Sequence, residues 1–259
     1  MLIGLTQQSE KNGSWPPLRG GCRRQPTEGV DPKAKLTIHF LLQKTALQKT
    51  ERFRYQLQAS LPLQKQLWQQ TIIAKIENQA AVLRDVRGLN VVNMQRWALE
   101  VRSGDAMNLE ARAAAYYWKE AFPMIEDFKR DRDGIAPNNM LNYGYAILRA
   151  VVARALVGSG LLPTWGMHHR NKYNAYCLAD DVMEPYRPYV DRLVMSLYDK
   201  YGAIETLEKQ HKAELLSVPT LDVTINGKRS PLMVAVGLTT SSLQKCYAGE
   251  ARKIVYPTM

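Results

Sequence analysis

The stretch LPLQKQLWQQTIIAKIENQAAVLRDV, residues 61–86, carries apolar side chains at Leu67, Ile72, Ile76, Ala80 and Leu83. Intervals of three to five residues follow the pitch of an α-helix, whereas a strand would return to one face at every second residue. Pro62 falls in the first turn, where its missing N–H has no intrahelical partner to lose. The stretch predicts one long amphipathic helix, and its apolar stripe needs other helices to cover it.

The chain downstream supplies them. Asn93–Arg102 predicts a second helix ended near Gly104, and Asn108–Phe122 (NLEARAAAYYWKEAF) an Ala-rich third closed by Pro123. Asn139–Val157 predicts a fourth, mostly apolar and so buried, after which Pro163 and Gly166 mark a turn and a loop. Leu178–Tyr201 reads as helical, with Pro185 and Pro188 starting, kinking or interrupting it, and Ala203–Leu216 follows. Thr220–Ile225 (TLDVTI) alternates as a strand does, Asn226-Gly227 is a turn dipeptide, and Ser230–Gly249 is a last helix with Arg252 and Lys253 at its exit. The body, residues 51–259, is thus mainly α.

The chain upstream differs. Met1–Lys35 holds Gly13, Pro16, Pro17, Gly20, Gly21, Pro26, Gly29 and Pro32, a density that breaks helices and strands alike. It reads as loop or disorder, and only Leu36–Leu42 (LTIHFLL) looks like a strand. Residues 1–50 therefore form an atypical Gly/Pro-rich segment with at most one or two strands.

The 259 residues are 46% apolar and 23% charged, which excludes a chain disordered throughout. No repeat of the needed period runs through them, which excludes a collagen-like or coiled-coil fibre. The formal charge is +11, favouring a polyanionic partner, nucleic acid first and an anionic membrane surface second. Eight Lys or Arg and three Asp or Glu put +5 of it in residues 1–50, leaving +6 for the helical body. Cys22, Cys177 and Cys246 are too few for a disulfide framework and too far apart for a zinc site, so free thiols are expected. No apolar run reaches the length of a membrane span; the best candidate, Tyr145–Leu162, contains Arg149 and Arg154. With no secretory signal evident, the cytoplasm is the expected location.

Two neighbouring histidines, His168 and His169, sit in the loop Gly166-Met-His-His-Arg-Asn-Lys172. Imidazole binds divalent transition metals well, although a histidine pair in a basic loop is also ordinary surface. Downstream, LADDVMEPYRPYVD carries Asp180, Glu184, Arg187 and Asp191 on one helical stripe, with Asp181 three residues before Glu184. An exposed ionic face would explain such a stripe. The flanking Leu178, Val182, Met183, Tyr186, Val190 and Leu193 argue instead for burial, and buried acids need a metal, an arginine or both. Glu110 opens the Ala-rich helix, where an acid commonly just suits the helix dipole.

Several segments together resemble a known family. NLEARAAAYYW (from Asn108), LNYGYAIL (from Leu141) and GMHHRNK…LADDVMEPYRP (from Gly166) resemble the CRISPR-associated integrase of spacer acquisition, most closely its type II variety. Thr50-Glu-Arg-Phe-Arg-Tyr-Gln and Ser230-Pro-Leu-Met-Val-Ala…Cys246-Tyr-Ala-Gly-Glu look like the same variety, and the likeness runs from about Leu47 to Pro257.

The resemblance implies a large helical catalytic domain, a metal-dependent DNA integrase and endonuclease. In that activity a fragment's 3′-hydroxyl attacks a phosphodiester at the boundary of a CRISPR repeat. Carried over motif by motif, the catalytic metal ligands fall on Glu110, His169 and Glu184, holding Mg²⁺ or Mn²⁺. His169 is taken over His168 because the family's histidine stands three residues after the glycine. Asp181, Asn142 and Tyr143 are implied as supporting residues; Arg187, by its charge, is expected to support them by pairing with Glu184 or Asp191 and holding the carboxylates in place. Arg170, Lys172 and Arg112 are implied as DNA contacts. The implied partners are double-stranded DNA (prespacer and repeat), a second copy in a homodimer, and a small companion CRISPR-associated acquisition protein bridging two dimers. The family opens with a β-rich domain, of which residues 1–50 look like a short, degenerate or truncated remnant.

Two other readings compete. A non-catalytic or assembly-defective relative would keep the basic surface without the chemistry. Asp180-Asp-Val-Met-Glu184 also looks like the Mg²⁺–diphosphate motif of all-α isoprenoid synthases, but no second acidic cluster follows, and the histidine pair and basic excess go unexplained.

Overall fold

The computed structural model describes residues 49–134 and 136–259. The strand expected at Leu36–Leu42, the Gly/Pro-rich segment before it, His39 and Cys22 lie outside the described residues. Residues 49–57 form helix α1. Then come α2 (Leu61–Arg87), α3 (Val92–Glu100), α4 (Leu109–Ala121), α5 (Asn138–Gly158) and α6 (Cys177–Met183). A 3₁₀ turn, Glu184–Tyr186, leads into α7 (Arg187–Tyr201) and α8 (Lys209–Leu215), and a second, Val218–Thr220, precedes the strands β1 (Asp222–Ile225) and β2 (Lys228–Pro231) and the helix α9 (Leu232–Tyr247).

The long helix α2 is the axis of the fold, as its apolar stripe requires. Ser60 caps its start, with Oγ accepting from the Leu63 N–H. Gly88 stops it in the left-handed conformation at φ 66°, which a residue with a Cβ adopts only at a cost. α2 packs against α3, α4, α7 and the first 3₁₀ turn, while α5 packs against α6, α7 and α9. Among the described residues, Trp68, Tyr117, Phe122 and Tyr186 are the largest fully buried side chains, each stabilising the core by roughly 1.5–3 kcal/mol.

Polar side chains fasten this core. Buried Gln56 of α1 accepts from Leu162 N–H at 2.8 Å and donates to the Leu162 and Trp165 carbonyls at 3.0 and 2.9 Å, pinning the chain that leaves α5. Buried Asn78 of α2 donates to the carbonyls of Pro185 (2.8 Å) and Pro257 (3.1 Å) and accepts from the Met259 N–H (3.2 Å). One amide therefore fixes the 3₁₀ turn and the C-terminal tail together.

The first four expected helices and the break at Pro185 and Pro188 appear within a residue or two of the sequence reading. Two expectations are corrected. The helix expected over Ala203–Leu216 begins only at Lys209, because Asn139 donates to the Ile204 and Glu205 carbonyls and Glu208 caps the shorter helix. The helix expected from Ser230 begins at Leu232, because Lys228–Pro231 pair antiparallel with β1 across a turn in which Asn226 and Gly227 take φ of 51° and 71°. By length and composition alone α5 is long and apolar enough to cross a membrane, where the sequence reading expected no run of that length. Here Met140, Leu141, Leu148, Val152 and Leu156 of α5 are buried in the protein core. Cys177 and Cys246 are free thiols, as expected, and both are buried.

A buried carboxylate links α4, α5 and α7. Asp191 accepts from Tyr117 Oη at 3.0 Å and Tyr145 Oη at 2.5 Å. Burial pushes its carboxyl up to about 7, against those hydrogen bonds and nearby Arg187, which pull it down. Because the folded state holds the proton more tightly than the unfolded chain, this stabilisation is complete below about pH 4 and is lost as pH rises through about 7. Asp191→Asn removes the titration. Urea unfolding at about pH 5 and pH 8 should show the stability difference moving in favour of the variant by up to about 3 kcal/mol as pH rises.

Candidate active site

Glu110 lies in the first turn of α4, whose start is capped by Asp105: its Oδ1 accepts from Leu109 N–H and its Oδ2 from Glu110 N–H, both at 2.9 Å. Glu184 opens the 3₁₀ turn that the prolines impose. Lys75 of α2 joins the two. Its Nζ is 2.6 Å from Glu110 Oε1 and 2.7 Å from Glu184 Oε2. Arg187 reaches Glu184 Oε1 at 3.0 Å, as the sequence suggested, while Asp191 is bonded by the tyrosines instead.

The charges of this group support one another. Burial opposes ionisation of Glu184, but Arg187 and Lys75 outweigh it, with help from His169, and the carboxyl lies below the usual glutamate range. Burial also works against the Lys75 ammonium, and Glu184 and Glu110 outweigh it, so its pKa is raised. Glu184 Oε2 is paired by charge but not by direction: it accepts no aligned hydrogen bond.

The histidines part company. His168 stacks flat on Trp68, with ring centroids 4.1 Å apart and planes within 3°. His169 presents Nδ1 to Asp181 Oδ1 at 2.5 Å, and that hydrogen bond is the main reason its pKa is raised, burial opposing it. Fully buried Asp181 also accepts from the His168 N–H at 2.9 Å and the His169 N–H at 3.2 Å. A carboxylate on Nδ1 orients a histidine that binds a cation through Nε2, which favours His169 over His168 as a ligand. Two carboxylates and one imidazole suit Mg²⁺ or Mn²⁺ better than a thiolate-seeking metal. Among the described residues, no three His, Cys, Asp or Glu side chains close on a single point.

Gly166 makes this loop possible. A Cβ there would stand 2.3 Å from the His169 carbonyl oxygen, 2.9 Å from Asp181 Oδ2 and 3.0 Å from Cys177 Cβ. Gly166→Ala is expected to destabilise the protein by about 1–3 kcal/mol and to loosen His169, read as a lowered thermal midpoint and a shifted His169 ring signal in NMR.

The remaining predicted residues are spread around these. Asn142 accepts from Arg130 and donates to the Arg132 carbonyl, both at 2.6 Å. It lines a cavity of about 590 Å³ with Tyr145, Arg130, Arg132, Arg149 and Arg187. Tyr143 packs half-buried against the core, and the tyrosine that meets Arg187 is Tyr145, with the guanidinium 4.9 Å from its ring centre. Arg170 donates to Gln64 at 2.6 Å, Lys172 lies over Tyr173 and Arg112 over Trp97. Asp180 is held by Arg149 at 2.6 Å and Asn174 at 2.7 Å. Sequence reasoning missed Lys75 and Asn78. Their signal was present: Thr71, Lys75 and Asn78 continue the stripe begun by Leu67, so polar groups stand on a helix face that must be buried.

A family model described as CRISPR associated protein Cas1 matches residues 34–221. The chain belongs to the Cas1 family. The match starts upstream of Leu47, where the motif likeness begins. The chain is 40% identical over 192 residues to the CRISPR-associated endonuclease Cas1 of Neisseria meningitidis serogroup C (strain 8013), covering 74% of this chain and 62% of that relative. It thus spans about three-fifths of that relative's length. Its fold is similar to a casposase solved bound to its integration product, at TM-score 0.67 and 21% identity, covering 80% of this chain and 71% of that one. It is also similar to a Cas6-RT-Cas1–Cas2 complex, at TM-score 0.63 and 19% identity, covering 78% of this chain and 26% of that one. Family membership sets aside the isoprenoid synthase reading. The geometry agrees, since Asp180, Asp181 and Glu184 face three different sets of partners.

Proposed function

We propose that the chain is a metal-dependent DNA integrase and endonuclease that inserts short DNA fragments into a CRISPR array. The carrying observation is the convergence of Glu110 and Glu184, from separate elements, on the buried Lys75 ammonium, with His169, oriented by Asp181, near enough for its charge to favour the Glu184 carboxylate. Glu110, Glu184 and His169 would hold Mg²⁺ or Mn²⁺, which when bound polarises the scissile phosphate and stabilises charge on the leaving oxygen.

The chain's own residues do the rest. Asp181 fixes the His169 ring, and Arg187 keeps Glu184 ionised and in place. The arginine cavity bordered by Asn142 and Arg187 suits a backbone phosphate of bound DNA. Arg170, Lys172 and Arg112 add affinity that depends on salt and is blind to sequence. In the reaction, a fragment's 3′-hydroxyl loses its proton as its oxygen forms the new bond to phosphorus, the bond from phosphorus to the target strand's 3′-oxygen breaks, and that leaving oxygen takes up a proton. With water as nucleophile, the same displacement is nuclease cleavage.

We also propose that the protein works as a homodimer, and that a small companion acquisition protein bridges two such dimers. The likeness to a chain in a Cas6-RT-Cas1–Cas2 complex supports the companion protein as a partner. The test incubates the full chain, with and without the companion, with Mn²⁺, a labelled duplex bearing a 3′-hydroxyl and a plasmid carrying the repeat. Metal-dependent joining of label to plasmid is expected. Binding without joining or cleavage would assign the chain to the non-catalytic alternative.

A further inference from the structure

Lys75 is a lysine on the buried face of α2, only 8% exposed, and its ammonium touches both glutamates assigned above as cation ligands. We propose that Lys75 competes with the divalent cation for Glu110 and Glu184, so that cation binding displaces its ammonium from between them. This rests on the ligand reading of those two residues.

The distances make the two occupants exclusive. Nζ lies 2.6 Å from Glu110 Oε1 and 2.7 Å from Glu184 Oε2, and a hard divalent ion takes carboxylate oxygens at roughly 2.0–2.6 Å. Both cannot hold the same pair of oxygens, because two positive centres that close repel strongly in a buried site. The lysine is able to yield. Its stem has several rotatable bonds, and its contact with Glu184 Oε2 lacks hydrogen-bond direction. Arg187 stays, holding the other oxygen of Glu184 at 3.0 Å with a rigid guanidinium. The arrangement keeps the buried Glu184 and the partly exposed Glu110 neutralised and selects against monovalent ions, which offer the acids no more charge than the ammonium does.

Mn²⁺ alone is the probe, with its affinity measured on the full chain by electron paramagnetic resonance. Lys75→Met is expected to tighten Mn²⁺ binding about tenfold or more, where a merely structural lysine would loosen it. In the wild type, Mn²⁺ is expected to speed acylation of Lys75, read by peptide mass spectrometry. That arm decides the matter if Lys75→Met does not fold. Unchanged or weaker binding in folded Lys75→Met, or labelling that Mn²⁺ leaves unchanged or slows, overturns the competition. Glu110→Gln and Glu184→Gln separate the two ideas. If they lose Mn²⁺ while Lys75→Met matches wild type, only the lysine proposal fails; if both bind Mn²⁺ as wild type does, the ligand reading fails with it.

Discussion

Glu184→Gln is expected to lower DNA strand transfer on the order of 10³-fold while leaving duplex binding nearly unchanged. The substitution keeps the shape of the side chain and removes its charge, so it separates chemistry from DNA affinity, which the basic surface supplies. It should also destabilise the fold. Glu184 is 4% exposed, with Lys75 against one oxygen and Arg187 against the other. Removing the anion leaves buried cations short of a partner, a loss of about 3–5 kcal/mol and a drop in thermal midpoint on the order of 10 °C. Glu110→Gln should cost as much activity but less stability, because the Glu110 side chain is 27% exposed against 5% for Glu184. Equal activity losses with unequal stability losses would tie both residues to the chemistry rather than to folding. Wild-type joining in either variant removes that residue from the site.

How much of this could be read beforehand follows from the kind of signal each feature leaves. Helices α2 to α5 were legible because Leu67, Ile72 and Ile76 repeat at helical spacing and Pro123 and Gly104 stop the chain. The break at Glu184 was legible because Pro185 and Pro188 cannot continue a helix unchanged. The late start of α8 was hidden because the side chain of Asn139, far away in sequence, takes the Ile204 and Glu205 carbonyls. β2 was hidden because Lys-Arg-Ser-Pro has no strand pattern of its own and pairs only because the Asn226-Gly227 turn folds it back on β1.

The site divides in the same way. Family motifs point to Glu110, His169 and Glu184, while local spacing put Asp180, Glu184, Arg187 and Asp191 on one stripe and gave them a common purpose. The structure gives them separate ones: Arg149 for Asp180, Lys75 and Arg187 for Glu184, two tyrosines for Asp191. The expectation that buried acids need a metal or an arginine was too narrow, because lysine, tyrosine and backbone N–H serve as well. Spacing within one segment cannot reveal a partner such as Lys75, which lies 35 residues before Glu110.

Asp181→Asn isolates the role of the aspartate behind the histidine. Asp181 offers acceptors to three donors: the His168 N–H, the His169 N–H and His169 Nδ1. Asparagine keeps one oxygen, and its NH₂ must face at least one donor with nothing to accept it. Stability should fall by about 1–3 kcal/mol, since the position is fully buried. Activity and Mn²⁺ affinity should each fall about 10–100-fold, because the ring no longer has a fixed orientation or tautomer. Two causes are possible for that activity loss, a disturbed loop and a misdirected ring, and a double-mutant cycle separates them. If Asp181 acts through His169, adding Asp181→Asn to His169→Ala costs no further activity, while part of the stability loss persists through the orphaned His168 N–H. Full additivity in activity would mean that Asp181 acts on the reaction by some route other than His169.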